Sequence, residues 1–96
     1  MADAKLKRRI REFFREQFVH GPDEWVRVND GFAENVHVEV VSHKYDGMNM
    51  VEKHDLTWSV LLDALPKDVW GYISLVEEHS PQENGRTTRP RRAKRA

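Results

Sequence analysis

One stretch, residues 35–65, constrains the fold more than any other part of the chain. The three valines from Val36 to Val40 stand at every second position, which is the pattern of a half-buried β-strand. Asp46-Gly47 follows and predicts a turn, because glycine accepts backbone angles that residues with side chains resist. Beyond the turn, apolar residues recur at helical spacing. The stretch therefore predicts a strand, a turn and then helical segments.

The helical part of this stretch is predicted as two pieces, at about 47–53 and 55–65. Asp55 is the predicted N-cap of the second piece, since its side chain can accept hydrogen bonds from the first free N–H groups. His54 would then lie at a helix–turn–helix corner, just before a helix start. The residues predicted to face inward are Met48, Val51, Leu56, Val60, Leu61, Ala64 and Leu65.

The N-terminal segment is predicted to be an amphipathic helix. Asp3 is its predicted N-cap, and Gly21-Pro22 stops the helix from behind. Its apolar stripe packs on a sheet in this prediction, and much of the remaining surface is basic. The stripe consists of Leu6, Ile10, Phe13, Phe14 and Phe18.

Two further strands complete the predicted sheet. Residues 25–28 form the first strand, a turn follows at 29–31, and the strand that starts at Asn35 closes an antiparallel hairpin. Residues 69–76 form the third strand. Val69, Ile73 and Leu75 are predicted to face the core, and Trp70 and Tyr72 to face the other side.

The predicted order is helix, strand, strand, helix, helix, strand. It implies an α+β fold in which a three-stranded sheet carries helices on one face. The chain has 96 residues and 39% hydrophobic residues, which suits one domain with one modest core. Apolar residues have no useful period from Glu77 onward, so disorder is predicted there. We place the domain at residues 1–80 and a disordered basic tail at 81–96.

The zero formal net charge hides an uneven distribution of charge along the chain. Residues 86–96 contain six Lys and Arg and no acid, and residues 1–15 contain six against two acids. The body between them, residues 16–85, has fourteen acidic and four basic side chains. Because nucleic-acid binding depends on Lys and Arg contacts to phosphates, only the two ends are suited to it.

Several function classes are disfavoured by the sequence. The chain has no cysteine, which excludes disulfides and thiolate ligands and fits a reducing, cytoplasmic compartment. No apolar run approaches the roughly 18 residues of a membrane span, and no apolar core follows the charged N-terminus as in a secretory signal. The five histidines follow no zinc-ligand spacing, and no serine lies in a nucleophile elbow. We therefore do not expect an enzyme.

One motif within residues 36–65 resembles that of the BolA-like family. It runs through Val41-Ser42, Tyr45, Gly47-Met48 and the segment 51–54 that ends on His54, and closes at Leu65. Lys53 departs from the family pattern, which has arginine before the histidine. The resemblance implies a type II KH-like fold, whose element order is the one predicted above.

The resemblance also implies a non-enzymatic adaptor, active in iron–sulfur trafficking or in iron- and stress-linked regulation. Such an adaptor would share a two-iron, two-sulfur cluster with a monothiol glutaredoxin, and His54 would help to hold that cluster. The family's second ligand is a histidine or cysteine in the hairpin loop or at the entry to the second strand, but the loop, residues 29–35, contains neither. His37 shares a strand face with Asn35 and is the predicted substitute, and His43 is a weaker choice. Both His54 and His37 could instead be structural or solvent-facing residues.

The sequence is also compatible with two other functions. The first is a nucleic-acid-binding regulator that uses the helix–turn–helix corner and the basic tail, although this corner has one glycine where a KH loop has two. The residues that would contact phosphates are Lys44, Lys53, Arg89, Arg91, Arg92, Lys94 and Arg95. The second is an interaction domain that keeps the fold without a cluster site.

Overall fold

The computed structural model describes residues 2–83, which fold into a three-stranded sheet and three helices. The elements are α1 (Ala4–Phe18), β1 (Trp25–Asp30), β2 (Val36–Val41), a 3-10 turn (His43–Tyr45), α2 (Met50–Ala64), α3 (Lys67–Trp70) and β3 (Ile73–His79). The order of helices and strands is the predicted one, and the α+β fold class is confirmed. No helix of the described part is both long and apolar enough to cross a membrane.

The N-terminal helix forms as the sequence predicts. Asp3 caps α1 by accepting a hydrogen bond from the backbone N–H of Leu6 at 3.0 Å. Four of the five residues of the predicted stripe are buried, and Leu6 packs against the core at its edge. The helix ends at Phe18, whose ring stacks on that of Tyr45 with centroids 5.5 Å apart.

The sheet has the order β1-β2-β3, with β2 antiparallel to β1 and parallel to β3. Val36, Val38 and Val40 are fully buried, as their alternation predicts. Buried residues of all three helices pack in the same core as these valines, among them Phe14, Leu61 and Val69. The turn predicted at 29–31 starts later, because β1 continues to Asp30.

The helix after the turn is continuous, which corrects the prediction of two pieces. A capping box begins α2: Asn49 Oδ1 accepts from the N–H of Glu52 at 2.8 Å, and the Glu52 carboxylate accepts from the N–H of Asn49 at 2.9 Å. Asp55 is therefore not an N-cap, and His54 lies inside the helix rather than at a corner. The N-cap Asn49 lies six residues before Asp55, and the buried face of the continuous helix differs from the predicted one.

This difference concerns which residues of α2 face inward. Val51 and Ala64, predicted to be buried, are exposed, and Thr57 is fully buried instead. The hydroxyl groups of Thr57 and Tyr45 lie 2.6 Å apart and form a buried hydrogen bond. This bond ties the 3-10 turn to α2, and burial raises the pKa of the Tyr45 hydroxyl.

The third strand begins four residues later than predicted. Pro66 precedes the short helix α3, which takes up Val69 and Trp70, and β3 runs over Ile73–His79. The prediction that Trp70 faces the outer side of a strand is thus wrong; its ring packs edge-to-face on Trp58, with centroids 6.2 Å apart. Residues 69–76 have the alternation of a strand, but Pro66 lies at the N-cap of α3 and its fixed φ suits the start of a helix. The first two of these residues, Val69 and Trp70, are therefore helical.

Ile73 is buried as predicted, but a bulge after it reverses the predicted faces of the rest of β3. Val36 pairs with Ile73 but His37 pairs with Leu75, so one residue of β3 has no opposite number. Leu75 is consequently 48% exposed, against the prediction, and Val76 is buried. Disorder from Glu77 is also wrong, because residues 77–79 belong to the strand.

A helical turn at residues 81–83 follows β3. Ser80 and Glu83 cap it reciprocally: the N–H of Ser80 donates to Glu83 Oε1 at 3.0 Å, and the N–H of Glu83 donates to Ser80 Oγ at 3.3 Å. The rest of the predicted tail, residues 84–96, lies outside the described residues.

Candidate functional site

The strongest candidate site is centred on His54, on the first half of α2. Its ring Nδ1 lies 3.2 Å from Oε1 of Glu78 on β3. The two partners differ in exposure, since the His54 side chain is 52% exposed and that of Glu78 is 4% exposed. A buried carboxylate therefore holds one nitrogen of a histidine whose ring reaches the surface.

The partnership defines how the imidazole can act. An ionised carboxylate only accepts hydrogen bonds, so when Glu78 is ionised Nδ1 of His54 donates in this pair. When Nδ1 carries the proton of a neutral ring, Nε2 keeps its lone pair. Ligating histidines in metal sites are oriented in this way by an outer carboxylate. The arrangement is therefore suited to donating Nε2 to a metal or to a proton donor on another molecule.

Glu78 itself is an unusual residue for the interior. Its second oxygen, Oε2, is buried and has no hydrogen-bond partner within residues 2–83. A buried carboxylate oxygen without a partner costs stability. This cost makes Glu78 poor as a purely structural residue, and it is the residue of the site that the sequence analysis missed.

A groove with apolar walls lies beside His54, with a volume of about 830 Å³. Three side chains expose apolar surface into it: Met50 is 79% exposed, Val51 67% and Leu75 48%. Lys53 is buried on the same side of α2, and its Nζ lies 2.6 Å from Glu83 Oε1. The hydrogen bond from Lys53, followed by one from Ser80, lowers the pKa of the Glu83 carboxyl.

The structure does not bring His37 together with His54. His37 lies on β2, and its Nε2 is 3.0 Å from Oε2 of Glu77. Glu77 and Glu78 are consecutive residues of one strand, so their side chains point to opposite faces of the sheet. The two predicted ligands thus lie on different faces. Residues 2–83 contain no group of three or more His, Cys, Asp or Glu that could hold a metal ion.

His43 lies in a different environment, next to the 3-10 turn. Its Nδ1 is 2.8 Å from Asp46 Oδ2, and its Nε2 is 2.9 Å from Asp23 Oδ2. The hydrogen bonds with Asp46 and then Asp23 raise the pKa of this ring. Both nitrogens are occupied, so His43 has none left for a ligand.

The other two histidines contact acceptors near the surface. His20 Nε2 is 2.8 Å from the carbonyl oxygen of Glu16, and His79 Nε2 is 4.0 Å from Glu77 Oε1. His79 also lines the groove beside His54, whereas His20 does not.

Of the residues predicted to bind nucleic acid, only Lys44 and Lys53 lie within the described residues. Lys44 is exposed, with its Nζ 5.7 Å from the centroid of the Phe18 ring. The Lys53 ammonium is buried and paired with Glu83, which leaves little of its charge for a phosphate. The other five, Arg89, Arg91, Arg92, Lys94 and Arg95, lie outside the described residues.

Glu78 carried a weak sequence signal that could have revealed it. Val76 and Glu78 stand two residues apart, so a strand that buries the valine also buries the carboxylate. No third apolar residue continues this alternation, so the sequence predicts disorder from Glu77 onward.

Comparison with solved structures identifies the fold. The chain is similar to the BolA domain of SufE1 from Arabidopsis thaliana, with a TM-score of 0.61 and 22% identity over 86% of this chain and 99% of that one. It is also similar to BolA1 from Arabidopsis thaliana, with a TM-score of 0.53 and 18% identity over 78% and 88% of the two chains. No protein-family model and no curated protein matches the sequence. The chain has a BolA-like fold, as its motif indicates.

Proposed function

We propose that this chain, which has a BolA-like fold, is a non-enzymatic adaptor that shares an iron–sulfur cluster with a monothiol glutaredoxin. The observation that carries the proposal is the His54–Glu78 pair, which directs one imidazole nitrogen outward. The motif that resembles the BolA-like family contains the same histidine. The fold adds support, since the neighbours in structure are BolA domains.

The chain's own residues have distinct parts in this proposal. His54 supplies Nε2 as one ligand, and Glu78 orients the ring through Nδ1. The groove of Met50, Val51 and Leu75 offers apolar contact area for the partner beside that ligand. His37 faces the other side of the sheet, so we assign the ligand role to His54 alone. The cluster's remaining ligands come from the glutaredoxin side.

The test is to add the purified protein to a cluster-loaded monothiol glutaredoxin and to record visible absorption and circular dichroism. The wild type should change both spectra, because an imidazole nitrogen replaces another ligand of the cluster. His54→Ala should abolish the change, and His20→Ala serves as the matched control because it removes an exposed imidazole elsewhere. Glu78→Gln should leave the cluster bound but more labile, since the amide orients the ring less well than the carboxylate.

Two results would contradict parts of this proposal. If the wild type leaves the spectra unchanged, the adaptor function is wrong. If the wild type changes them and His54→Ala does so equally, the function stands and the ligand is misassigned. His37→Ala should behave like the wild type, and a labile cluster in that variant would restore His37 as a ligand.

A further inference from the structure

Two carboxylates contact the ring of His43, and they come from different parts of the chain. Nδ1 lies 2.8 Å from Oδ2 of Asp46, which is three residues further along the chain in the same turn. Nε2 lies 2.9 Å from Oδ2 of Asp23, in the loop between α1 and β1. The ring of His43 therefore connects the 3-10 turn to a loop that lies 20 residues earlier in the chain.

This double contact depends on the protonation state of the ring. An ionised carboxylate only accepts hydrogen bonds, so when Asp23 and Asp46 are both ionised, both ring nitrogens must donate. Only the imidazolium form carries a proton on each nitrogen. In the neutral ring one nitrogen has a lone pair, which is repelled by a carboxylate oxygen at 2.8 or 2.9 Å. One of the two contacts must therefore break when His43 loses its extra proton.

The contact with Asp46 is the one that the neutral ring keeps. Asp46 and His43 belong to one turn, in which the backbone N–H of Asp46 donates to the carbonyl oxygen of His43 at 3.0 Å. Keeping the two side chains together closes only a short loop of chain, whereas the contact with Asp23 closes a long one. The hydrogen bond at one ring nitrogen decides which nitrogen holds the proton. The neutral ring is thus protonated on Nδ1, and Asp23 separates from Nε2.

Glu24, next to Asp23, limits how far the loop can move. Its Oε2 accepts a hydrogen bond from the backbone N–H of His43 at 2.6 Å, and its Oε1 accepts from the N–H groups of His20 and Gly21. Backbone N–H groups do not titrate, so Glu24 holds the loop against the turn in both states of the ring. Of the two neighbouring acids, only Asp23 makes a contact that depends on a proton.

The other ionisable side chains of the neighbouring segments are those of His20, Lys44 and His79. The Lys44 ammonium lies over the ring of Phe18, and the His20 ring contacts a backbone carbonyl oxygen. The Nε2 atom of His79 lies 4.0 Å from Oε1 of Glu77. The two aspartates therefore govern the protonation of His43, and their hydrogen bonds, that of Asp46 first, raise the pKa of the ring.

We propose that His43 is a proton-operated latch, in which the imidazolium connects Asp23 to the 3-10 turn and loss of its proton releases Asp23 while Asp46 and Glu24 stay in place. Because the pKa of the folded ring lies above the usual 6.5, the latch is closed below the raised pKa and opens as pH rises through it. Release leaves the Asp23 carboxylate in water and adds one net negative charge to this surface. The inference involves neither His54 nor a metal, so it does not rest on the proposed cluster chemistry.

The test is ¹H–¹⁵N correlation of the histidine rings in the full ¹⁵N-labelled chain, recorded with the backbone amides between about pH 5.5 and 9. The ¹⁵N shift distinguishes a protonated ring nitrogen from one with a lone pair. His43 should have two protonated nitrogens at low pH, and above its midpoint a proton on Nδ1 only. The amides of residues 21–24 should shift with the same midpoint, while the His43 amide, which donates to Glu24, stays protected from hydrogen exchange.

The two exposed aspartates provide a matched pair of variants. Asp23→Asn should lower the midpoint of His43 and largely remove the pH-dependent shift of the loop amides. Asp46→Asn should also lower the midpoint, but the neutral ring should then be protonated on Nε2, because Asp23 is the remaining carboxylate acceptor. Glu12→Gln makes the same kind of change at an exposed carboxylate on α1 and should leave the midpoint as it is in the wild type.

Three results would overturn the latch. One is a neutral His43 that is protonated on Nε2 in the wild type, which would mean that Asp23 is kept and Asp46 released. Another is a set of loop amides that do not follow the midpoint of the ring. The third is a midpoint in Asp23→Asn equal to that of the wild type. A cluster spectrum that fails to change leaves all of these measurements untouched, so the two proposals can fail separately.

Discussion

Two histidines of this chain are held by carboxylates in opposite ways. In the His43 corner, formed by Asp23, Glu24, Ser42, His43 and Asp46, both ring nitrogens meet exposed carboxylates. In the His54 corner, formed by Met50, Val51, His54, Leu75 and Glu78, one nitrogen meets a buried carboxylate and the ring reaches the surface. The first arrangement saturates its histidine, and the second leaves it a nitrogen for another molecule.

The carboxylates of the two corners also differ in how many hydrogen bonds they accept. Glu24 accepts hydrogen bonds from the backbone N–H groups of His20, Gly21 and His43, at 2.6, 2.8 and 2.6 Å. Although desolvation opposes it, these bonds lower the pKa of the Glu24 carboxyl. Glu78 instead leaves an oxygen without a partner in the described part of the chain. A carboxylate that accepts hydrogen bonds from the backbone stabilises the fold, whereas one with a buried, unsatisfied oxygen costs stability.

Glu24→Ala should produce the largest effect. It removes an ionised acceptor from three backbone N–H groups, and hydrogen bonds to charged groups contribute most among hydrogen bonds. We expect the free energy of unfolding to fall by about 1.5–3 kcal/mol, measured by urea denaturation near neutral pH. Glu12→Ala is the control, because it removes an exposed carboxylate on α1. A loss no larger than in that control would show that the His43 corner is not a structural clasp.

Glu78→Met should have a smaller effect of the opposite sign. Methionine has a similar length and removes a buried carboxylate whose desolvation is only partly repaid, while His54 stays half exposed and can be hydrated. The free energy of unfolding should stay unchanged or rise by about 1 kcal/mol, and a urea titration beside the wild type measures it. A loss of 2 kcal/mol or more, on the order of breaking a buried pair, would make Glu78 a structural residue like Glu24.

The smallest effect is a pH dependence at His43. Hydrogen bonds to Asp46 and Asp23 raise its pKa above the usual value of 6.5, so the folded chain binds this proton more tightly than the unfolded chain. The wild type's advantage over His43→Ala should therefore be complete below the unfolded pKa and decline as pH rises through the folded one. Urea midpoints of both proteins between about pH 5.5 and 8.5 test this. Asp23→Asn should flatten the difference, and an advantage that grew with pH would contradict the assignment.

The hairpin and the first helix were predictable because their signals are local. The apolar stripe of α1 and the alternating valines of β2 each report a period over a few residues, and Asp3 adds a cap next to its helix. The start of α2 was misplaced because two residues, Asn49 and Asp55, are both good N-caps, and the reciprocal bond from Glu52 favours the first. Which of the two residues is the N-cap also depends on how α2 packs on the core.

Local patterns in the sequence were enough to predict the α+β fold class, the hairpin, the buried face of α1 and a motif that contains His54. The tertiary structure decided the course of β3, where a bulge against β2 sets which side chains are buried, and it decided that Glu78 meets His54 across 24 positions of the chain. The physical reason is range. Periodicity and capping act between neighbours, whereas strand register and a buried ion pair depend on where distant segments meet.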